Sequence, residues 1–188
     1  RVGLLSNELP TFGGYGSDCM EENLIHTIEV SDNKIEQNGA GAIIACSNSG
    51  GTYTGNIIKD NGASVIEYCY CLNRIAVVQI SPPSSAGTLK FQNNTLSGNN
   101  GDVSFLLLWE TSPGAMIISN NNFSDTLTTY NFQSPRTNYP DTSVVVAGNW
   151  WGSSSTGDIS GRIYDWNDNV EFRLVDFSSH LNQPHQPP

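Results

Sequence analysis

The sequence predicts an all-β fold, a parallel β-helix or solenoid that closes with a short C-terminal helix. An asparagine-centred motif recurs along the chain, short β-rich runs lie between its copies, and no run sustains a helical period. The composition agrees, because 18 glycines and 21 asparagines stand beside only 14% charged residues. Glycine and asparagine favour turns, so we expect many short strands joined at tight corners.

The repeated motif is Asn, any residue, an apolar residue and two further residues, often followed by Asn-Gly. Its copies start, at unequal steps along the chain, at Asn33, Asn56, Asn94, Asn121 and Asn149. A unit of this size cannot bury its own apolar face and must stack on its neighbours. We therefore expect these five asparagines to form a ladder at one corner of the coil, with each side-chain amide bonded to the next.

The apolar residue two positions after each ladder asparagine is expected to point into the solenoid, because strand side chains alternate between faces. These residues are Ile35, Ile58, Leu96, Phe123 and Trp151. Two insertions rich in turn residues, 81–87 and 133–141, are predicted to be surface loops.

The coils are predicted to span residues 27–152, after an N-terminal coil or cap at 1–26. Residues 153–181 form a predicted C-terminal cap, and residues 182–188, which lack an apolar face, are predicted to be a linker or tail. The short helix is expected within the cap, because four residues there recur at helical intervals: Ile159, Arg162, Ile163 and Trp166.

The charge of the chain excludes one class of partner. Lys and Arg total 8 against 18 Asp and Glu, which gives a formal net charge of -10. Nucleic-acid binding is built from cationic surface, so a nucleic-acid partner is disfavoured. The longest uninterrupted apolar run, Phe105–Trp109, is far shorter than the roughly 20 residues that cross a bilayer, so we expect no membrane span in this segment.

The cysteines are even in number and lack zinc-binding spacing, which indicates disulfides and an extracellular location: Cys19, Cys46, Cys69 and Cys71. Cys46 follows Asn33 at the same spacing as Cys69 follows Asn56, so stacked coils bring the two cysteines within disulfide range. That pairing leaves Cys19 for Cys71. Because Cys19 also precedes Cys46 by a step similar to the repeat, a Cys19–Cys46 bond remains an alternative.

Two sequons, Asn93-Asn-Thr95 and Asn122-Phe-Ser124, lie on predicted corners, where an N-linked glycan could project outward. Asn93 and Asn122 are therefore glycosylation candidates for a protein that passes through a eukaryotic secretory route.

A calcium loop is one interpretation of the segment after the predicted helix. Its ligands would be Asp165, Asn167, Asn169 and Asp176. The sixth position of such a loop is normally Gly, whereas this chain has Val170, which favours a helix end and its capping turn instead. We therefore predict no metal and no cofactor.

Trp150 and Trp151 have two interpretations. Their rings could form a platform on which sugar rings stack. Tryptophan is mostly buried in folded proteins, so packing of Trp151 in the bore and of Trp150 under the helix, beside Trp166, is favoured.

The residues that close the coil carry a family resemblance. Gly148-Asn-Trp-Trp-Gly152, Ile159-Ser-Gly-Arg-Ile-Tyr-Asp165 and Val175-Asp-Phe177 resemble the closing signature of the right-handed parallel β-helix repeat family. The likeness covers residues 27–181 and is greatest to extracellular β-helix modules of animal junction and adhesion proteins, such as bark beetle (Anakonda). The family ending usually has Pro where this chain has Ser179. The resemblance implies a right-handed solenoid in an extracellular module.

These observations favour a noncatalytic extracellular module with a structural, adhesive or protein-recognition role. No Asp-Asp, Asp-x-Asp or Gly-His-Gly occurs, whereas polysaccharide cleavage needs clustered carboxylates or a base beside them. A protein or an extracellular glycan is the expected partner, and the open ends of a solenoid allow self-association. The alternative is a carbohydrate-active β-helix, either a glycan-binding domain or a divergent polysaccharide lyase or hydrolase.

Overall fold

The chain winds through successive coils, and each of the first four contributes one strand to each of three parallel sheets. The computed structural model describes residues 28–39, 41–45, 50–63, 75–83, 87–108, 114–137 and 142–186. Every pairing between the strands named below is parallel. The predicted fold class is confirmed as a parallel β-solenoid with a short helix.

The strands fall into the sheets in a regular rotation along the chain. Sheet A contains β1 (Glu29–Ser31), β4 (Gly50–Thr54), β7 (Thr88–Gln92) and β10 (Ala115–Ser119). Sheet B contains β2 (Lys34–Glu36), β5 (Ile57–Lys59), β8 (Thr95–Ser97) and β11 (Asn122–Phe123). Sheet C contains β3 (Ile43–Ala45), β6 (Ala76–Ile80), β9 (Asn100–Leu107), β12 (Leu127–Gln133) and β14 (Ile163–Tyr164). A last pair joins β13 (Val144–Val145) to β15 (Val175–Asp176).

The bore is filled by side chains in register from coil to coil. On sheet B the inward column runs Ile35, Ile58, Leu96 and Phe123. On sheet C it runs Ile43, Val78, Phe105, Phe132 and Ile163. Phenylalanine rings meet across the bore, with centroids 4.4 Å apart for Phe91 and Phe105. Aromatic contacts of this kind add about 0.5–1.5 kcal/mol each beyond the burial of their area.

The corners between sheets A and B share one backbone feature. The residue before each ladder asparagine has a positive φ, between 55° and 67°: Asp32, Gly55, Asn93, Asn120 and Gly148. A left-handed residue turns the chain sharply, and Gly, Asn and Asp are the residues that tolerate it best. The recurrence of these residue types therefore sets the corner that places each asparagine.

The helix is shorter than the periodicity predicts. α1 spans Thr156–Ser160, begins at the N-cap Ser155 and ends at Gly161. The prediction that helical spacing extends to Trp166 is wrong, because Ile163 pairs with Phe132 as part of β14. Trp166 is 45% exposed, so it does not pack beneath the helix. Pairing with an existing sheet edge outweighs the weak local helical preference.

The predicted surface loops are also partly wrong. Ser81, Pro82 and Pro83 are buried where the first insertion begins, and the second insertion begins with buried Gln133, Ser134 and Pro135. Gln133 ends β12, so the chain keeps its sheet position before it turns away. Parallel pairing also continues beyond residue 152, the predicted end of the coils, through β14 and β15.

In the part of the chain described above, no helix has the length and apolarity that a bilayer crossing requires.

Candidate functional site

The five predicted asparagines stand in one column along the solenoid. From the second onward, each accepts two hydrogen bonds on Oδ1 from the asparagine of the preceding coil, one from its backbone amide and one from Nδ2, at 2.8–3.2 Å. The order is Asn33, Asn56, Asn94, Asn121 and Asn149. From Asn56 onward each Nδ2 also donates to a backbone carbonyl of the preceding coil. The column is therefore a continuous, largely buried chain of amides.

A second ladder, which was not predicted from the sequence, runs beside the first. Asn38 donates to Asn61, Asn61 to Asn99, and Asn99 to Asp125, with the same pairing of backbone and side-chain donors. The signal for it is the second Asn of the repeat, five positions after Asn33, Asn56 and Asn94. Asp125 departs from that spacing, since it follows Asn121 by four positions.

Asp125 closes this second ladder with a buried carboxylate. Its Oδ1 accepts the backbone amide of Asn99 at 2.8 Å and Nδ2 of Asn99 at 3.1 Å. Burial raises the pKa of Asp125, while hydrogen bonds from Ser104 and Asn99 and the charge of Arg162 act in the opposite direction. Asp125 thus places an acidic group at the position where the ladder stops.

Arg162, directly after α1 and its capping glycine, reaches over this end of the ladder. Its Nη2 donates to the backbone carbonyl of Asp125, to Oδ1 of Asn131 at 2.8 Å and to Oγ1 of Thr128 at 3.3 Å. Burial lowers the pKa of Arg162, and the negative charge of Asp125 opposes that shift. The three contacts hold the guanidinium in one orientation against the last full coil.

A cavity of about 330 Å³ opens between this ladder end and the C-terminal cap. Its walls come from the corner after β11, from the start of the next coil and from α1. The residues that matter for its chemistry are Asp125, Asn131, Trp151, Ser153, Asp158 and Arg162. No sequence motif pairs two carboxylates in this chain, whereas stacking brings Asp125 and Asp158 to one cavity from two separate coils.

The tryptophans occupy different environments. Trp151 is only 2% exposed and stacks on Phe123, with ring centroids 4.8 Å apart and planes at 22°. One ring face is therefore covered, and Trp151 lines the cavity from within the core. Trp150 is half-buried and forms a parallel bridge to Asn122. These positions favour packing for Trp151 over the open sugar platform that the sequence allowed.

The two sequon asparagines differ in the state of their side chains. Asn93 is half-buried at a corner with φ of 58°. Asn122 is 9% exposed, and its Nδ2, the atom that a glycan would occupy, donates to the carbonyl of His185 at 2.9 Å. Its Oδ1 accepts the His185 amide at 2.7 Å. This reciprocal pair holds the tail, predicted to be a linker, against the outer face of sheet B.

Three of the side chains considered as calcium ligands accept hydrogen bonds from nearby backbone amides. Asp165 is buried, and its two carboxylate oxygens accept the amides of Asn167 and Val175, both at 2.9 Å. Asn169 Oδ1 accepts the amide of Glu171, and Asp176 Oδ1 accepts that of Ser178, which lowers the pKa of Asp176. Within the described ranges no group of three or more His, Cys, Asp or Glu side chains is placed to hold a metal ion.

Several predicted residues lie outside the described part of the chain. They are the four disulfide candidates, Cys19, Cys46, Cys69 and Cys71. The disulfide map therefore stays a prediction.

The outer face of sheet A, which we define by Thr52, Lys90, Ile117 and Val145, is largely exposed. Thr52, Lys90 and Ile117 are aligned in successive strands, and β13, which carries Val145, lies beside β10. Ile117 is 41% exposed and Val145 55% exposed. Apolar side chains thus lie on the surface at the C-terminal end of this sheet.

The chain matches no protein-family model, no curated protein and no solved structure.

Proposed function

We propose that this chain is a noncatalytic extracellular module whose solenoid serves a structural, adhesive or protein-recognition role. The observation that carries the proposal is the combination of a continuous buried amide ladder with an exposed sheet face that carries apolar side chains. A stiff support and a regular surface are what a spacer or docking module needs. The module is proposed to act through its outer surface, with a protein or an extracellular glycan as partner.

The ladder supports the mechanical part of this proposal. Asn56, Asn94, Asn121 and Asn149 are fully buried, and their amides join successive coils. Sliding or opening one coil would leave several amide groups buried without partners, at about 1–3 kcal/mol for each group. A single coil therefore does not separate easily from its neighbours, and the solenoid responds to a force or to a bound partner as one rigid unit.

The outer face of sheet A supports the recognition part. Ile117 and Val145 lie on neighbouring strands near the C-terminal end, and both stay exposed. A single exposed apolar residue is ordinary on a protein surface, but neighbouring ones on one sheet face suit burial against a partner. We place the adhesive contact on this face.

The proposed extracellular location is supported by three features of the sequence. The even number of cysteines, the sequon at Asn93 and the resemblance to animal β-helix modules of the bark beetle (Anakonda) type all favour it. We propose that relationship as the family of this chain, and a disulfide map of protein secreted by eukaryotic cells tests the location.

An attachment assay tests the recognition role. Beads coated with the module are measured for attachment to one another, to cultured cell layers and to purified matrix proteins. Ile117→Lys is expected to reduce attachment severalfold, because it places a charge in the proposed contact. Ile57→Lys is the matched control, because Ile57 is 44% exposed on the outer face of sheet B. Equal attachment of the wild type and both variants would contradict the proposal for sheet A.

A second assay separates this role from the carbohydrate-active alternative. The module is incubated with acidic and neutral polysaccharides, and new reducing ends and unsaturated products are measured. We expect no turnover. Turnover by the wild type that Asp125→Asn or Asp158→Asn abolishes would overturn the noncatalytic proposal, since those carboxylates share the cavity at the C-terminal cap.

A further inference from the structure

We propose that Asn38, the first rung of the second ladder, is a site of spontaneous deamidation. Its side chain is converted to aspartate or isoaspartate without an enzyme, and the ladder then loses its first side-chain hydrogen bond. The inference goes beyond the structural or adhesive role and does not depend on it. It rests on how differently the structure places the asparagines that precede a glycine, which are Asn38, Asn61 and Asn100.

The chemistry needs only the asparagine, the amide that follows it and water. The backbone nitrogen of the next residue loses its proton and attacks Cγ of the asparagine. The bond between Cγ and Nδ2 breaks, and the side-chain nitrogen takes up a proton and leaves as ammonia. Water then opens the resulting succinimide ring at one of its two carbonyls, which gives aspartate or isoaspartate. A glycine in the next position favours the attack, because it has no Cβ and adopts backbone angles closed to other residues.

The fold leaves this reaction open at Asn38. Asn38 and Gly39 are both exposed, and the Gly39 amide donates no hydrogen bond to any described residue. An added Cβ at Gly39 would meet nothing within 4 Å, so the backbone there has space to rotate. Among the described residues, the side chain of Asn38 makes one hydrogen bond, from Nδ2 to Oδ1 of Asn61 at 2.9 Å. Attack on Cγ therefore requires a single hydrogen bond to break.

Asn61 is the interior counterpart, and the ladder protects it. It is 1% exposed, and its Oδ1 accepts both donors of Asn38. Its Nδ2 donates to the carbonyl of Ile35 at 2.9 Å and to Oδ1 of Asn99 at 3.0 Å. The attacking nitrogen is also engaged, because the Gly62 amide donates to the carbonyl of Asn38 at 2.7 Å. Deamidation of Asn61 therefore requires the coil to open first.

Asn100 shows that exposure alone does not make a site. Its side chain is exposed like that of Asn38, but Asn100 and the glycine after it lie in β9. That glycine, Gly101, pairs in register with Thr128 of the next coil. An extended backbone turns the next amide nitrogen away from the side-chain carbonyl, so the ring closes only after this part of the strand leaves the sheet.

Deamidation of Asn38 changes the contact between the first two coils. A carboxylate at position 38 has no N–H to donate, and it places an oxygen against Oδ1 of Asn61, which is an acceptor. Isoaspartate also adds a methylene to the main chain, which shifts the carbonyl that accepts the Gly62 amide. The reaction therefore loosens the first rung, while the rungs that begin at Asn61 keep their partners.

Peptide mapping by mass spectrometry tests the site. The folded chain is incubated at mildly alkaline pH, and the deamidated fraction at Asn38, Asn61 and Asn100 is followed over time. The same incubation in guanidinium chloride gives the rates without structure, and we expect these to be similar at the three positions. In the folded chain, Asn38 should react within about fivefold of its unfolded rate, because one hydrogen bond opposes the attack. The other two should slow at least about fiftyfold, because several must break.

Two variants make the test specific. Gly39→Val is accommodated in open space, and its branched side chain hinders the attack, so deamidation of Asn38 should slow at least about tenfold at an unchanged melting temperature. Asn38→Asp reproduces one product of the reaction. Exchange of the Gly62 amide with deuterium, followed by nuclear magnetic resonance, should be severalfold faster in Asn38→Asp than in the wild type.

Three results would overturn the proposal. They are a folded chain in which Asn38 reacts no faster than Asn61 or Asn100, an unchanged rate at Asn38 in a correctly folded Gly39→Val variant, and equal exchange of the Gly62 amide in Asn38→Asp and the wild type. None of them bears on attachment through sheet A, so this inference and the adhesive role fail independently.

Discussion

The carboxylate of Asp125 accepts both the backbone amide and the side-chain amide of Asn99, at 2.8 and 3.1 Å. An interior rung must donate to the next coil as well as accept, which requires an amide. The last rung only has to accept, so a carboxylate can take its place. The ladder therefore ends in a charge, and Arg162 lies beside that charge.

The pH dependence of stability should report Asp125. Burial raises its pKa above the ordinary 3.8, so the folded protein binds this proton more readily than the unfolded chain does. The contribution of Asp125 to the unfolding free energy therefore falls as pH rises from 3.8 through the folded pKa and is constant above it. Asp125→Asn lacks this titration. Urea unfolding across that pH window should show the variant gaining stability relative to the wild type. A difference that is constant with pH, or that favours the wild type as pH rises, would contradict the assignment.

Removing one interior rung should destabilise the whole solenoid. In Asn94→Ala, the amide groups of Asn56 lose their acceptor, and the carbonyl of Tyr53 and Oδ1 of Asn121 each lose a donor. At about 1–3 kcal/mol for each buried group left unpaired, we expect a loss of at least about 3 kcal/mol in unfolding free energy. Denaturant unfolding measures it.

The neighbouring position supplies the control for that experiment. Asn93→Gly changes the adjacent corner residue but keeps a residue that accepts the positive φ of 58°. Its effect should stay within about 1 kcal/mol. If Asn94→Ala and Asn93→Gly lower the unfolding free energy equally, the conformation of the corner contributes more to stability than the hydrogen bonds of the ladder do.

Two glycines should respond in opposite ways to the same substitution. Gly50 has φ of 80°, and an added Cβ would lie 2.2 Å from the backbone oxygen of Thr88 in the next coil, so Gly50→Ala should cost at least about 2 kcal/mol. Gly157 has open space and lies in α1, so Gly157→Ala should stabilise by up to about 1 kcal/mol. Thermal unfolding of the two variants tests whether the close approach of the next coil is the reason that position 50 requires glycine.

The contact between Asn122 and the tail should control local opening. Asn122→Ala removes both hydrogen bonds to His185, so the His185 amide should exchange with deuterium at least about tenfold faster. Asn182→Ala, an exposed change in the same tail, is the control and should leave that exchange unchanged. Hydrogen exchange followed by mass spectrometry measures both. Fast exchange in the wild type would show that the tail is not held in solution.

Much of the coil could be predicted because its determinants are local. The ladder asparagine and the apolar residue two positions after it are visible in each repeat, whereas the positive φ of the residue before the asparagine emerged only in the structure. The cap was harder, because the helical spacing from Ile159 to Trp166 competes with pairing of Ile163 to Phe132 in the preceding coil. The burial of Ser81, Pro82 and Pro83 could not be predicted for a related reason. Turn-forming residue types do not indicate which other parts of the chain pack against them.

The candidate site could be predicted only in part. The repeat contained the second asparagine of each coil, but Asp125 falls one position early and does not match the pattern. Trp151 was recognised as a core residue, whereas its place in the wall of a cavity depends on α1 and Arg162. Neither Asp125 nor Arg162 stood out as a site residue, because a site built between coils has no motif within any one of them.

By itself, the sequence determined that the chain coils, where it turns and which asparagines stack, because each repeat carries its own corner and its own inward apolar residue. The tertiary structure alone decided that Arg162 meets Asp125 and that His185 pairs with Asn122, although both pairs are far apart in the chain. These contacts depend on how coils of unequal length come to lie against one another. Stacking brings residues that are far apart in the chain to within one strand spacing of each other. No local sequence pattern indicates which residues will meet in this way.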